Sequence, residues 1–254
     1  MIENYITGAN GFIGRKLCQR IKCTPIPHQD IQTTKLLPFE RFFFLSAYGN
    51  MSFHTNNSMI VRANVIDPLS IVTRMDKGFD SFMFISTSSV KLPIQTLYSR
   101  TKRATEEVLL AYRERGLPIC IIRPMSVCGA GEQSSHLIPT LIRSCLKGEK
   151  MNFVPEPKHD FIDVEDLVDG ILNLSANKVG GIFELGTGKQ YSNDEVREIV
   201  EDVTGKKANL NTVKSMRDYD TNNWVSSNFR ARSWGWLPKK SLRQSIEEEV
   251  KSVK

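Results

Sequence analysis

A tyrosine and a lysine stand four residues apart in Y-S-R-T-K, Tyr98 to Lys102, at the start of a stretch with helical apolar spacing. On a helix, positions i and i+4 share one face, so a phenol and an ammonium would point into the same space. The ammonium favours phenolate, which brings a tyrosine from about 10 toward working pH and suits it to exchange a proton with a sugar or alcohol hydroxyl. The same spacing also describes a surface tyrosine beside a solvated lysine, so the pair needs a second motif beside it.

Residues 4–14 supply one, reading N-Y-I-T-G-A-N-G-F-I-G. A short apolar strand through Tyr5 and Ile6 meets Gly8, Gly11 and Gly14, and the helical pattern of Phe12, Leu17 and Ile21 follows. Gly8 allows a tight turn, Gly11 lets backbone approach a pyrophosphate, and Gly14 permits close helix–strand packing. The helix N-terminus then offers free N–H groups and partial positive charge to phosphate. The spacing is G-x-x-G-x-x-G rather than the commoner G-x-G-x-x-G. A glycine-rich turn without a ligand is the alternative.

The elements that position these motifs alternate along the chain. Apolar strand candidates at 4–7, 42–46, 81–86, 118–122 and 181–185 are separated by helical patterns near 12–22, 65–77, 98–115 and 164–176. This predicts an α/β fold, a parallel sheet with helices on both faces. The helix from Tyr98 should stop at Gly116, before Pro118. Ser192 and Glu195 form a capping box ahead of Val196, Ile199, Val200 and Val203, and Gly205 closes that helix. Between Lys22 and Phe42 there is room for one clear strand, and Pro25 and Pro27 mark it as an edge.

In their order, these motifs resemble the extended short-chain dehydrogenase/reductases, the nucleotide-sugar epimerase, dehydratase and ketoreductase group. T-G-A-N-G-F-I-G is similar to that family's cofactor loop, and F-F-F-L-S-A (42–47) to the strand whose end lies along the cofactor. Asn64-Val65 resembles the asparagine that opens the next long helix. F-I-S-T-S-S-V (84–90) resembles the strand that carries the active-site hydroxyl. Tyr98 and Lys102 match the catalytic pair, I-I-R-P (121–124) the strand after it, H-D-F-I-D-V-E-D-L (159–167) the R-D-F-x-x-V-x-D element, and W-G-W-L-P (234–238) the C-terminal L-G-W-x-P.

The resemblance implies a Rossmann-type, doubly wound parallel sheet with a small C-terminal substrate-binding lobe. Residues 1–124 would form the NAD(P)-binding domain, with 159–186 returning to it; 125–158 and 187–254 would mainly form the lobe. Gly8, Asn10, Gly11, Phe12, Ile13, Gly14, Ser46, Ala47, Tyr98 and Lys102 would hold NAD or NADP. Asp30, the acid nearest the usual ribose position about 20 residues after the glycines, joins them or is a turn residue. Thr87 would share the substrate hydrogen bond with Tyr98, or merely cap the strand end. Lys102 would lower the tyrosine pKa and bind the nicotinamide ribose. Ser88 and Ser126 would touch substrate. Arg217, in M-R-D-Y-D (216–220), would fork onto a substrate diphosphate with Asp220 fixing the segment, or pair with a nearby surface acid. Trp224, Trp234 and Trp236 read as lobe core rather than base-stacking residues.

Four departures shape the expected chemistry. Ser88 and Ser89 replace the acidic pair of the family's dehydratases, so hydride transfer at a sugar carbon is expected rather than elimination. The 91–97 loop is short, leaving the pocket more open or covered by a partner subunit. Ser126 stands where many relatives have asparagine, and His159 replaces the usual arginine.

Bulk properties agree with a globular protein: 254 residues, 40% hydrophobic, 24% charged. No apolar run approaches the roughly 20 residues that span a bilayer, and no signal peptide is evident. Five cysteines without a C-x-x-C fit a reduced, cytoplasmic setting and imply no metal site. The net charge of +6 is scattered over a solvated surface and suits an anionic ligand; nucleic acid is not expected. The leading function is an NAD(P)-dependent nucleotide-sugar epimerase or 4-ketoreductase, a homodimer by resemblance. A non-catalytic cofactor-binding sensor or assembly partner, and a nucleic-acid-binding derivative of the fold, are the alternatives.

Overall fold

The computed structural model describes residues 3–51, 53–75, 78–214 and 217–253. In chain order the elements are β1 (Glu3–Thr7), α1 (Phe12–Arg20), β2 (Thr24–Ile26), β3 (Phe39–Phe44), α2 (Asn57–Val61), α3 (Asp67–Val72), β4 (Ser81–Ile85), α4 (Leu97–Glu114), β5 (Ile119–Pro124), β6 (Ser126–Cys128) and α5 (Leu137–Lys147). They continue with β7 (Met151–Phe153), β8 (Lys158–Asp163), α6 (Val164–Ala176), β9 (Gly181–Leu185), β10 (Gln190–Ser192), α7 (Asn193–Thr204), β11 (Leu210–Thr212), α8 (Phe229–Arg232) and α9 (Leu242–Ser252).

The first of two compact units comprises Met1–Pro124, Val168–Glu184 and Phe229–Trp236. Its six-stranded sheet has the order β2-β1-β3-β4-β5-β9, and the pairs from β2 through β5 are parallel. Helices cover both faces, so the central strands are apolar at successive positions rather than at alternate ones. Phe42, Phe43 and Phe44 on β3 are fully buried, as are Phe82 and Phe84 on β4. The Phe42–Phe82 and Phe44–Phe84 ring centroids lie 5.5 and 6.0 Å apart.

β2 is the sheet's edge strand and carries Pro25, which cannot donate to a further neighbour. From there to β3 the chain forms only a 3-10 turn over His28–Asp30 and a loop. Buried Ile31 anchors this stretch to the core, and Arg74 donates to the carbonyls of Thr34, at 2.8 Å, and Ile31.

The helix expected over 65–77 begins instead at Asn57, and residues 76 and 77 lie outside the described residues. Asn56 is its N-cap, accepting from the Met59 N–H at 3.1 Å. Asn64 therefore does not open the helix: it sits inside it, in a π turn over Arg62–Ile66 between α2 and α3. The α4 helix ends at Glu114, with Gly116 at φ +96° just beyond.

The second unit comprises Met125–Leu167, Leu185–Asn228 and Leu237–Lys254. It holds a three-stranded sheet in the order β10-β8-β6 and the parallel pair β7–β11. Its core joins Leu141 and Ile142 of α5, Val196 and Val200 of α7, and Ile246 and Val250 of α9. The Ser192–Glu195 capping box is formed in both directions, at 3.1 and 2.6 Å. The tryptophans depart from expectation: Trp234 and Trp236 belong to the first unit, where Trp236 is buried but Trp234 is 44% exposed. Nothing in the 229–237 stretch covers the Trp234 ring enough to make it core.

Candidate active site

β1 ends at Thr7, a fully buried residue whose Oγ1 accepts from the N–H groups of Leu45 and Ser46, each at 3.2 Å. This ties the glycine loop to the end of β3, where Ser46 and Ala47 lie. Gly8 has φ +72°, and a Cβ there would lie 2.9 Å from the Ser46 nitrogen. A Cβ on Gly14 would sit 2.1 Å from the Gly8 carbonyl oxygen, so only glycine lets α1 approach the loop this closely. Gly11 is the N-cap of α1, and no side chain caps that terminus. Asn10 precedes it, its carbonyl accepting from Arg15 at 2.9 Å, and Phe12 and Ile13 begin the helix. The Phe12, Ile13 and Gly14 amides thus form the end of a helix dipole with no side-chain acceptor, as an anion site requires. Asp30 ends the 3-10 turn after β2, and its backbone carbonyl accepts from Thr33 and Thr34.

The π turn carries the next part. Asn64 is fully buried; its Oδ1 accepts from the Tyr48 N–H at 3.2 Å, and its Nδ2 donates to the Tyr48 carbonyl at 2.7 Å. The same Nδ2 reaches Thr101 Oγ1 at 3.2 Å, and Thr105 donates to the Asn64 carbonyl at 2.6 Å. One asparagine thereby joins the loop after β3 to α4. No spacing rule reveals Thr7, Thr101 or Thr105; each acts through a partner distant in sequence.

On α4, Thr96 caps the helix and Tyr98 and Lys102 follow one turn apart. Lys102 is fully buried, donates to the Ile85 carbonyl at 2.7 Å, and lies 4.4 Å from the Phe84 ring centre. Ile85 ends β4 two residues before Thr87, so this bond ties the Tyr98–Lys102 face to the strand that presents the hydroxyl. One turn further on, buried Glu106 is forked by Arg123 of β5 at 3.0, 3.2 and 2.5 Å. Thr87 does cap the strand end: its Oγ1 accepts from the Ser89 N–H at 3.2 Å and pairs with Ser89 Oγ at 2.9 Å. When Ser89 is the donor of that pair, the Thr87 proton is left for a ligand oxygen. Ser88 beside it is buried.

Burial, rather than the pairing of Tyr98 with Lys102, governs both side chains. Burial pushes the Tyr98 phenol up to about 12. Burial likewise pulls Lys102 down to about 7, with Glu106 acting the other way.

In the second unit, Ser126 on β6 meets His159 of β8. Ser126 Oγ lies 3.4 Å from His159 Nδ1, and the Arg217 guanidinium acts electrostatically on the ring. Trp224 packs on the same imidazole, with ring centres 5.0 Å apart. Met216 of the M-R-D-Y-D segment lies outside the described residues. Next to His159, fully buried Asp160 accepts five hydrogen bonds: from Thr187 N–H at 2.8 Å and Oγ1 at 2.7 Å, from Gly188 N–H at 2.9 Å, and from Ser226 N–H at 3.0 Å and Oγ at 2.7 Å.

Among the described residues no cluster of His, Cys, Asp and Glu could hold a metal ion, and no helix is long and apolar enough to cross a membrane.

A model of the NAD dependent epimerase/dehydratase family matches residues 45–186, over half of the chain. The chain is 23% identical to YtcB of Bacillus subtilis, described as an uncharacterized UDP-glucose epimerase, over 96% of each protein. Those 306 aligned positions exceed this chain's 254 residues, so the relative carries additional segments. It is 26% identical to the UDP-glucose 4-epimerase of Lactobacillus helveticus, over 69% of this chain and 64% of that protein. In fold it is similar to MoeE5, solved with UDP-glucose and NAD: TM-score 0.90, 22% identity, 99% of this chain and 98% of that one.

Proposed function

From the NAD-dependent epimerase/dehydratase family, to which this chain belongs, we propose an NAD-dependent nucleotide-sugar epimerase or 4-ketoreductase that transfers hydride at a sugar carbon. One observation carries this reading: Lys102, on the helix face of Tyr98, is anchored to the strand end that leads into Thr87. NAD suits the first unit, because the side-chain-free α1 N-terminus fits a pyrophosphate and Asp30 follows β2 where a ribose acid is expected. The cofactor supplies the hydride acceptor and, when oxidised, a positive charge that lowers the Tyr98 phenol.

The chain's own groups handle the proton. Tyr98 takes it from the sugar hydroxyl, or returns it to a ketone, while Thr87 holds the same oxygen. Lys102, fixed by Ile85, keeps the phenol's side of the helix in place, and its ammonium form favours phenolate over phenol. Arg217 holds the diphosphate in the second unit. Ser88 and Ser89 offer no acid–base pair for elimination. The enzyme works as a homodimer in the cytoplasm, and exposed Val61, Ile66 and Val108 on the helices of the first unit are the surface for a second copy.

The test is Tyr98→Phe, assayed with NAD and UDP-, dTDP- and CDP-sugars by chromatography and mass spectrometry. Turnover should fall by about 10²- to 10⁴-fold with NAD binding retained; unchanged turnover would refute the assignment. A second reading, cofactor binding without turnover, draws on the brief stretch between β2 and β3. It predicts NAD bound through purification and no product from any sugar.

A further inference from the structure

Glu106 is a buried charge that the proton chemistry above does not use. It lies fully buried on α4, four residues after fully buried Lys102, so the two side chains share the inner face of the helix. Both are anchored to adjacent strands. Lys102 donates to the Ile85 carbonyl of β4 at 2.7 Å, and Arg123 of β5 forks Glu106 at 3.0, 3.2 and 2.5 Å. Ile85 pairs with Ile122 in the β4–β5 register, so Arg123 directly follows the residue beside the lysine's anchor. Two consecutive turns of α4 are thus tied to neighbouring points of the sheet, and the second tie fixes a carboxylate one turn from the lysine. The other charged groups near Lys102 are few. β4 and α2 carry none. Of the remaining elements packed against α4, β5 brings Arg123 and the Cys120 thiol, the π turn Arg62, α3 Asp67, and the 3-10 turn over Ser88–Lys91 brings Lys91. Asp67 faces His28 at 3.2 Å, and Lys91 pairs with Glu184 at 2.6 Å. Burial pulls the Lys102 ammonium down, and Glu106 is the charged group that opposes it.

We propose that Glu106 is a positioning residue of the active site: clamped by Arg123, its carboxylate is the buried counter-charge that keeps the Lys102 ammonium charged on the Tyr98 face of α4. The inference rests on the reading of Tyr98 and Lys102 as the acid–base pair. In the productive form the two side chains share one proton. Held by Lys102 it leaves a phenolate; held by Tyr98 it leaves a phenol beside a neutral amine. A carboxylate one turn from Lys102 favours the first arrangement through its field. An arginine suits the clamp, because it stays charged at any working pH and forks both carboxylate oxygens without competing for the Lys102 proton. Each pH unit by which Lys102 loses hold of its proton takes the phenolate form down about tenfold.

The experiment is an NMR titration of the Lys102 ε-carbon signal, identified by its loss in Lys102→Met, in the free full chain of the parent, Glu106→Gln and Arg123→Gln. Both variants break the same fork, and only the first removes the carboxylate. The expected result is a Lys102 midpoint lower by about one pH unit or more in Glu106→Gln, and at or above the parent's in Arg123→Gln. With a nucleotide sugar and NAD, kcat of Glu106→Gln should fall about tenfold with KM nearly unchanged. An unchanged midpoint in Glu106→Gln, or an equal fall in both variants, overturns the inference and leaves the nucleotide-sugar reading standing. A parent that turns over no sugar, while its Lys102 midpoint still falls in Glu106→Gln, sinks that reading and keeps the counter-charge. Should Glu106→Gln fail to fold, the double variant with Arg123→Gln removes both charges of the fork and must show the same fall.

Discussion

The buried Lys102 ammonium donates to the Ile85 carbonyl oxygen at 2.7 Å, joining α4 to the last residue of β4. A lysine pulled down to about 7 is stored at a cost. The unfolded chain binds its proton more tightly, so the penalty is complete below pH 7 and fades as pH rises toward the ordinary lysine value. Lys102→Met should therefore abolish turnover without unfolding the protein. Its thermal midpoint should be at least as high as the parent's at pH 6.5, since relief of burial, on the order of a few kcal/mol, offsets about 1 kcal/mol for the lost bond. The advantage should shrink at pH 9.5. A midpoint well below the parent's at pH 6.5 would mean that the bond is worth more than the desolvation.

The approach of α1 to the glycine loop makes a second prediction. With the Gly8 carbonyl 2.1 Å from where its Cβ would be, Gly14→Ala must push loop or helix aside. The α1 amides then lose their common aim. We expect NAD affinity to drop by more than about tenfold, with a destabilisation of about 1–3 kcal/mol typical of overpacking. Titration of protein fluorescence and thermal melts would check both. An unchanged NAD affinity would place the pyrophosphate elsewhere.

How far the sequence reveals this arrangement differs from residue to residue. Gly8, Gly14, Tyr98 and Lys102 are legible because their chemistry and their spacing lie in one short segment. The Ser192–Glu195 box and the Gly205 stop are legible for the same reason. Asn64 is misread as a helix opener because the true cap, Asn56, is one asparagine among three nearby, and nothing local announces a π turn. The direction of the Tyr98 and Lys102 shifts is hidden as well, because desolvation depends on how β4, β5 and α4 close around them. The joint placement of Ser126, His159 and Trp224 also escapes the sequence, since it is made by β6, β8 and a loop more than fifty residues later.

Glu249 of α9 offers a pH test in the second unit. It is 4% exposed, and its Oε2 has no hydrogen-bond partner among the described residues. Burial, then Glu132 and Asp163, pushes its carboxyl up to about 8. Asp163 is itself 3.5 Å from the Lys240 ammonium, and Glu132 pairs with His136 at 2.8 Å. A carboxyl raised on folding contributes stability below its unfolded value, near 4.5, that is lost as pH rises through about 8. Glu249→Gln should match the parent at pH 5 and exceed it at pH 8.5, by on the order of a few kcal/mol in urea denaturation. Parallel stability curves for the two proteins would sink the assignment.

Asp160 carries the last prediction. Its carboxylate accepts from Thr187 and Gly188 after β9 and from Ser226, so one side chain pins two segments to β8. Ser226 lies nine residues beyond Arg217, in the segment that also brings Trp224 to His159. Asp160→Asn keeps the size but turns one acceptor into an NH₂ facing donors already in place. Each broken charge-assisted bond costs about 1.5–3 kcal/mol, and the Asp160 carboxylate that loses its donors is fully buried. We expect a loss of at least about 2 kcal/mol and a rise in KM for the nucleotide sugar larger than the fall in kcat, because the slackened segment carries Arg217, the arginine proposed for the diphosphate, rather than Thr87, Tyr98 or Lys102. Equal falls in kcat and kcat/KM with KM unchanged would instead place Asp160 on the chemical step.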